Sequence, residues 1–126
     1  LVLETLLPDH VTILADAQRL RQLLHNLLEN SCRYTDAGGH IRVRLDEQPR
    51  CVTLVIEDSA PGPDALQRAQ LFERFYRAEP SRGRLGGGSG LGLAICRNLV
   101  EAHGGEICAE QSPLGGLLIR VRLPRD

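Results

Sequence analysis

Between Gly83 and Leu93 the chain reads Gly-Arg-Leu-Gly-Gly-Gly-Ser-Gly-Leu-Gly-Leu, a run that holds six of its thirteen glycines. A segment so poor in side chains cannot contribute to a core. The missing Cβ atoms give it another use: the backbone reaches positive φ at little cost, and its N–H groups can fold around an anion. The residues that end and follow the run, Leu91, Leu93, Ala94, Ile95, Leu99 and Val100, are apolar and read as a helix. The run therefore leads to a helix N-terminus, where unpaired donors and a partial positive charge favour phosphate. A flexible connector is the other reading of such a run, and the rest of the chain has to decide between them.

The familiar phosphate loops do not fit. A Walker-type loop needs Gly-x4-Gly-Lys followed by Ser or Thr, and although Gly83 and Gly88 have that spacing, Ser89 stands where the lysine belongs. The chain contains no lysine. All fifteen basic residues are arginines, which also removes the strand lysine of eukaryotic-type protein kinases. A dinucleotide fingerprint belongs after the first strand of a βαβ unit, and these glycines come late. A nucleotide bound here needs a different scaffold.

At 126 residues the chain is expected to be one domain with room for a core. It starts at leucine and has no methionine, so it is expected to be a piece of a longer protein. A net charge of −1 with mixed signs gives no nucleic-acid footprint. Cysteines 32, 51, 96 and 108 have no Cys-x-x-Cys pairing and read as free thiols in a reducing compartment. No run of eighteen apolar residues exists, so these residues are not expected to span a membrane.

In chain order, residues 1 to 14 read as two short strands, Leu1 to Leu7 and Val11 to Leu14, separated by the turn signal Pro8-Asp9. Asp16 reads as a helix N-cap, and leucines at 20, 23, 24, 27 and 28 have the spacing of a helix with one buried face. At 100° per residue, Asn26, Asn30 and Arg33 lie within about 60° of one another beside that stripe. An asparagine there is ordinarily solvated or capping; two of them one turn apart, with Arg33 and Tyr34 close by, are less ordinary. After a stop at Thr35 to Gly39, His40 to Leu45 alternates like a strand with one wet face, and Cys51 to Ile56 is apolar on both faces, as a central strand should be. That strand runs into Glu57 and Asp58, then Ser59-Ala60-Pro61-Gly62-Pro63. A carboxylate at such a strand mouth either meets a ligand or caps a turn. Residues 64 to 77 read as a short helix and a further helical turn with Phe72, Phe75 and Tyr76; the helix after the glycine run reaches about His103; Glu106 to Gln111 and Leu117 to Leu123 form a closing hairpin. The order predicts an α/β two-layer sandwich: one mixed, mostly antiparallel sheet with three helices on a single face.

Four separate pieces thus propose one pocket, and together they resemble the ATP-binding catalytic domain of bacterial sensor histidine kinases, within the wider group that includes gyrase, Hsp90 and MutL. The resemblance covers nearly the whole chain. His25 to Thr35 is similar to that family's N box, Asp58 to Gly62 to its first glycine box, Leu71 to Tyr76 to its F box and Gly86 to Leu93 to its second glycine box. It implies the Bergerat-type version of the sandwich, with ATP and Mg2+ as cofactors. Asp58 is then the acceptor for the adenine amino group, which needs an oxygen facing its N–H. Tyr34 stacks on the base, and Gly62 belongs to the loop beside it. Asn30 supplies an amide oxygen to Mg2+, an ion that takes few protein ligands beside water and phosphate. Asn26 holds a metal-bound water or phosphate, Arg33 neutralises phosphate charge, and Gly88, Ser89, Gly90, Leu91 and Gly92 wrap the triphosphate as a lid.

The reaction implied is transfer of the ATP γ-phosphoryl group to a histidine, catalysed through Asn26 and Asn30. None of His10, His25, His40 or His103 has the setting of the family's acceptor, His followed by an acid and soon by Pro. The acceptor is therefore expected on a separate helical dimerisation domain, with a response regulator as the next partner and a cytoplasmic position below an inner-membrane sensor; this chain alone is expected to be a monomer. One departure is Ala60, where the first glycine box usually has its inner glycine. Two rivals stand beside this reading. An anti-sigma-type serine kinase carries a Glu as base one turn before the metal asparagine, where this chain has Asn26; Glu29 points about 100° away from Asn30. A nucleotide-binding interaction module without transfer activity is the other. Phe72 and Phe75 read either as core or as a docking surface for the helical domain.

Overall fold

The computed structural model describes residues 2–6, 17–34, 38–59, 65–72 and 92–124. Their elements run β1 (Val2–Leu6), α1 (Ala17–Tyr34), β2 (His40–Glu47), β3 (Cys51–Ser59), α2 (Ala65–Gln70), α3 (Gly92–Ala102), β4 (Glu106–Gln111) and β5 (Gly115–Pro124). The expected strand at Val11 to Leu14, the turn Pro8-Asp9 and the cap Asp16 lie outside the described residues, though α1 begins immediately after Asp16. One sheet has the order β1-β2-β3-β5-β4. β1 runs parallel to β2, and every other neighbouring pair is antiparallel, so the sheet is mixed and mostly antiparallel as expected.

Period-two alternation sorts the sheet's side chains. Ile41, Leu54, Ile56, Leu117, Ile119, Val121 and Leu123 point into one core with α1 and α3, which contribute Leu23, Leu27, Leu93, Cys96, Leu99 and Val100. Of the α1 stripe, Leu23 and Leu27 are buried and Leu20 and Leu28 partly so, whereas Leu24 is 40% exposed and belongs to the outer edge. Phe72 joins the core at 9% exposure, which settles it as packing rather than docking surface; Phe75 lies outside the described residues. The exposed apolar side chain of this segment is Leu66 on α2.

The opposite sheet face carries the arginines, but it is not simply wet. Val55, Thr53 and Glu57 on the central strand are buried beneath Arg42, Arg44, Arg120 and Arg122 of the flanking strands. The arginine stems cover the apolar surface while their guanidinium groups pair outward: Arg120 with Glu110, and Arg122 with Glu106 at 2.8 Å. Arg42 Nε donates to Glu57 Oε1 at 2.7 Å and Arg44 lies 4.0 Å from the same oxygen. β3 is therefore buried on both faces, matching its unbroken apolar run. The four cysteines are free thiols, with Cys96 buried and Cys32 and Cys108 exposed. Among the described residues no helix is long and apolar enough to cross a membrane.

Candidate functional site

The site is built where β3, β5, α1 and α3 meet. β3 does not stop at Ile56 as its apolar run suggests; it continues through Glu57 and Asp58 to Ser59. The reason lies across the ladder. Glu57 pairs with Leu118 and Ser59 with Gly115, so β5 spends an extra residue opposite Asp58, a β-bulge. A Cβ at Gly116 would collide with Asp58 Oδ1 and with the carbonyl oxygens of Asp58 and Ser59, so this close approach requires glycine. The freed Leu117 N–H donates to Asp58 Oδ1 at 2.9 Å instead of to a strand carbonyl. On the β2 side, His40 N–H donates to Ser59 Oγ at 3.0 Å and closes the strand end. The hairpin supports the bulge, with Ser112 N–H donating to Gly116 O at 2.8 Å and Gly115 in the left-handed region at φ 106°.

Asp58 is 4% exposed and points to the helix side of the sheet. Its carboxyl is pushed up from 3.8 to about 6, chiefly because burial disfavours the charge; the Leu117 N–H and the side-chain hydrogen bond with Ser31 pull the other way, and neighbouring Glu57 adds to the rise. Ser31 is itself 2% exposed. It falls four residues after Leu27, on the buried stripe of α1, which is the signal that would have found it: a hydroxyl where the periodicity asks for an aliphatic side chain.

The same helix carries Asn26 and Asn30, one turn apart and both half-buried. α3 packs along α1, and its Cys96 thiol, fully buried, donates to Leu23 O at 3.9 Å. Burial raises the Cys96 thiol to about 12, so it stays protonated. Gly92 is the first residue of α3 and is exposed. Arg33 and Tyr34 occupy the last turn of α1, and nothing further is described of their side chains; Gly62, Gly88, Ser89, Gly90 and Leu91, like Ala60, lie outside the described residues. Of the expected site, the structure thus sets Asn26 and Asn30 on the helix whose Ser31 bonds Asp58, and places Gly92 at the start of the helix that packs against it. Sequence reasoning missed Ser31, Cys96 and the Gly116-Leu117 bulge.

The donor set suits a nucleotide and a hard cation. A carboxylate oxygen held as that of Asp58 is would suit a buried amino group, and two amide oxygens one turn apart fit an ion whose other ligands are phosphate and water. Among the described residues no group of three His, Cys, Asp or Glu side chains forms a metal cage.

The family profile for histidine kinase-, DNA gyrase B- and HSP90-like ATPases matches residues 15–126. The chain belongs to that family. Among the ATPases of this family it is 55% identical, over all 126 residues, to the signal transduction histidine-protein kinase BaeS of Escherichia coli K12, of which it spans 27%. Among solved structures, the mycobacterial sensor histidine kinase MprB superposes with a TM-score of 0.84 at 32% identity, covering 98% of this chain and 83% of that one. Full-length ShkA in complex with AMPPNP superposes with a TM-score of 0.77 at 31% identity, over 97% of this chain and 25% of that one. The chain thus spans about a quarter of the length of the curated sensor kinase it matches, and it corresponds to the catalytic ATP-binding domain of sensor histidine kinases.

Proposed function

We propose that this domain binds Mg2+·ATP and transfers the γ-phosphoryl group to a histidine on a separate helical dimerisation domain of the same protein, from which a response regulator takes it. The observation that carries the proposal is the Asp58 carboxylate, buried at the end of β3 and held by Ser31 and the Leu117 N–H beside the asparagine pair of α1. Asp58 accepts the adenine amino group, a contact that a water-exposed carboxylate would make only weakly. Tyr34 stacks on the base. Asn30 offers its amide oxygen to the metal, Asn26 orients a metal-bound water or phosphate, and Arg33 offsets phosphate charge. Mg2+, when bound, neutralises the β- and γ-phosphates and polarises the γ-phosphorus toward attack. The backbone N–H groups of Gly88, Ser89, Gly90, Leu91 and Gly92 close over the phosphates. Asn26 stands where a serine kinase of this fold needs a carboxylate base; a histidine nitrogen, already nucleophilic at neutral pH, needs none. We infer that the parent is an inner-membrane sensor with this domain in the cytoplasm and that nucleic acid is not its partner.

Calorimetric titration with ATP tests the reading. Wild type is expected to bind one nucleotide more tightly with Mg2+ than without, Asp58→Ala to lose binding about 100-fold or more, and Asn30→Ala to keep metal-free binding but lose the Mg2+ enhancement. A folded wild-type domain that takes up no nucleotide would defeat the proposal.

A further inference from the structure

Glu57 and Asp58 are neighbours at the mouth of β3, and strand alternation sends their side chains to opposite faces of the sheet, Asp58 toward the helices and Glu57 toward the arginines. Both are buried, at 1% and 4% exposure. Two carboxylates joined through one peptide unit stand about 8 Å apart across the strand, in surroundings that screen their repulsion poorly. Only the outer one has a cation. Arg42, opposite Glu57 in the ladder, donates from Nε to Oε1 at 2.7 Å. Arg44 lies 4.0 Å from the same oxygen, but its Nε is 3.4 Å from Asp46 Oδ2, so its charge is shared. Glu57 Oε2 is buried with no hydrogen-bond partner among the described residues. Arg42 is therefore the main group that offsets the Glu57 charge. Asp58 meets neutral partners instead, the Leu117 N–H from β5 and Ser31 from α1. Of the other charged groups on the elements packed against β3, Arg120 and Arg122 of β5 pair with Glu110 and Glu106, and His25 of α1 pairs with Glu29 on the exposed side of that helix. His40 opens β2 as an exposed side chain beside the end of β3.

We propose that Arg42 is a positioning residue for the nucleotide site: by neutralising Glu57 on the outer face of β3, it lets Asp58 hold its negative charge on the inner face, toward the amino group of the ligand. The inference rests on the role given to Asp58 under the proposed function. Arg42 acts through the strand and not by contact, because it touches Glu57 while the nucleotide meets Asp58. Without Arg42, a charge on Asp58 has to be placed beside one that is buried and bare, so Asp58 takes up its proton at a higher pH. Without the charge of Glu57 the order reverses, because the Arg42 guanidinium then favours the Asp58 carboxylate. This gives a task to an arginine on the sheet face away from the site, where it otherwise reads as a cover for the central strand.

The test uses this chain as Arg42→Gln, Arg42→Lys and Glu57→Gln. Two quantities are read between pH 5 and 8: the titration midpoint of the Asp58 carboxyl, from its 13C resonance in the nucleotide-free domain, and the affinity for AMPPNP by calorimetry, relative to wild type at each pH. Arg42→Gln is expected to move the midpoint up by about half a unit to one unit, and Glu57→Gln to move it down by about as much. Arg42→Lys keeps the charge and is expected to stay nearer wild type than Arg42→Gln. At pH 6, affinity is expected to fall about two- to fivefold in Arg42→Gln and to rise by up to about twofold in Glu57→Gln, with both converging on wild type at pH 8. A purely structural pair would lower stability in both variants without parting their midpoints. Midpoints that stay put, or that move the same way in Arg42→Gln and Glu57→Gln, overturn the proposal. If Arg42→Gln does not fold, Glu57→Gln decides alone: a lower midpoint supports the proposal and an unchanged one overturns it. Midpoints that part as expected while affinity fails to follow them strike the adenine-acceptor role of Asp58 and leave the control of its charge standing.

Discussion

Asp58 is a carboxyl group set in the core, and its titration follows from that conflict. Buried and raised to about 6 from 3.8, it holds its proton in the folded chain over a pH range in which the unfolded chain has already lost it. Between pH 4 and 6 the folded state therefore binds more protons, and stability falls as pH rises, by at most about 1.4 kcal/mol per unit, then levels off. Asp58→Asn cannot ionise, and its amide can still accept from Leu117 N–H and donate to Ser31. The variant is expected to gain on wild type in melting temperature between pH 4 and pH 7.5; an unchanged difference would show that Asp58 ionises as freely folded as unfolded. Nucleotide binding runs the opposite way. In the proposed role the Asp58 carboxylate accepts the adenine amino group, so affinity is expected to weaken toward tenfold per unit as pH drops below 6, measured by titration at pH 5, 6 and 7. Residues of this kind were legible beforehand because their type clashes with their place: an acid beside a central strand, and amides beside a leucine stripe. Ser31 carried a fainter signal, a hydroxyl on the buried stripe of α1, and Cys96 none, because a small thiol on a buried stripe looks like packing until its neighbour on another element is seen.

At the scale of elements, the strand alternation of β2, β3 and β5 was readable because each pleat repeats every two residues and one face must be dry. The end of β3 was not readable, because what extends it to Ser59 is a bulge in β5, more than fifty residues away, and a bulge has no local pattern beyond its glycines. Gly116 looks in sequence like part of a turn; in the fold it is the gap through which β5 reaches the Asp58 carboxylate. Gly116→Ala is expected to cost about 2 kcal/mol, roughly 6–10 °C in melting temperature, and to weaken nucleotide binding in the fraction that remains folded. Gly105→Ala supplies the control. A Cβ there would strike the Arg122 carbonyl oxygen and crowd Leu123 and Val100, a comparable clash away from Asp58, so it should lower stability and leave affinity intact. Equal affinity in the two variants would mean that the bulge shapes the sheet and not the site.

For the whole molecule, the proposed reading separates nucleotide binding from phosphoryl acceptance. Asp58 meets α1 through Ser31, on the helix that carries Asn26 and Asn30, and the described histidines take other roles. His103 closes α3, its Nδ1 2.8 Å from Leu99 O, a capping role at a helix C-terminus. His25 lies on the exposed side of α1, 3.4 Å from Glu29 one turn on, about 100° around the helix from Asn26. His40 begins β2, with its backbone N–H given to Ser59 Oγ. A phosphoryl group transferred in line needs an acceptor nitrogen within about 3.5 Å of the γ-phosphorus, and a side chain fixed to the outer face of the same helix that carries the asparagines cannot turn inward to meet it. This chain incubated with radiolabelled Mg2+·ATP is therefore expected to bind nucleotide yet acquire no acid-labile, base-stable label, and to pass label to a separately supplied dimerisation domain of its parent. Substituting Asn26 or Asn30 by alanine should abolish that transfer. Base-stable label on the isolated chain, lost with His25→Ala, would place the acceptor on α1 and overturn the division of labour proposed between this domain and its partner.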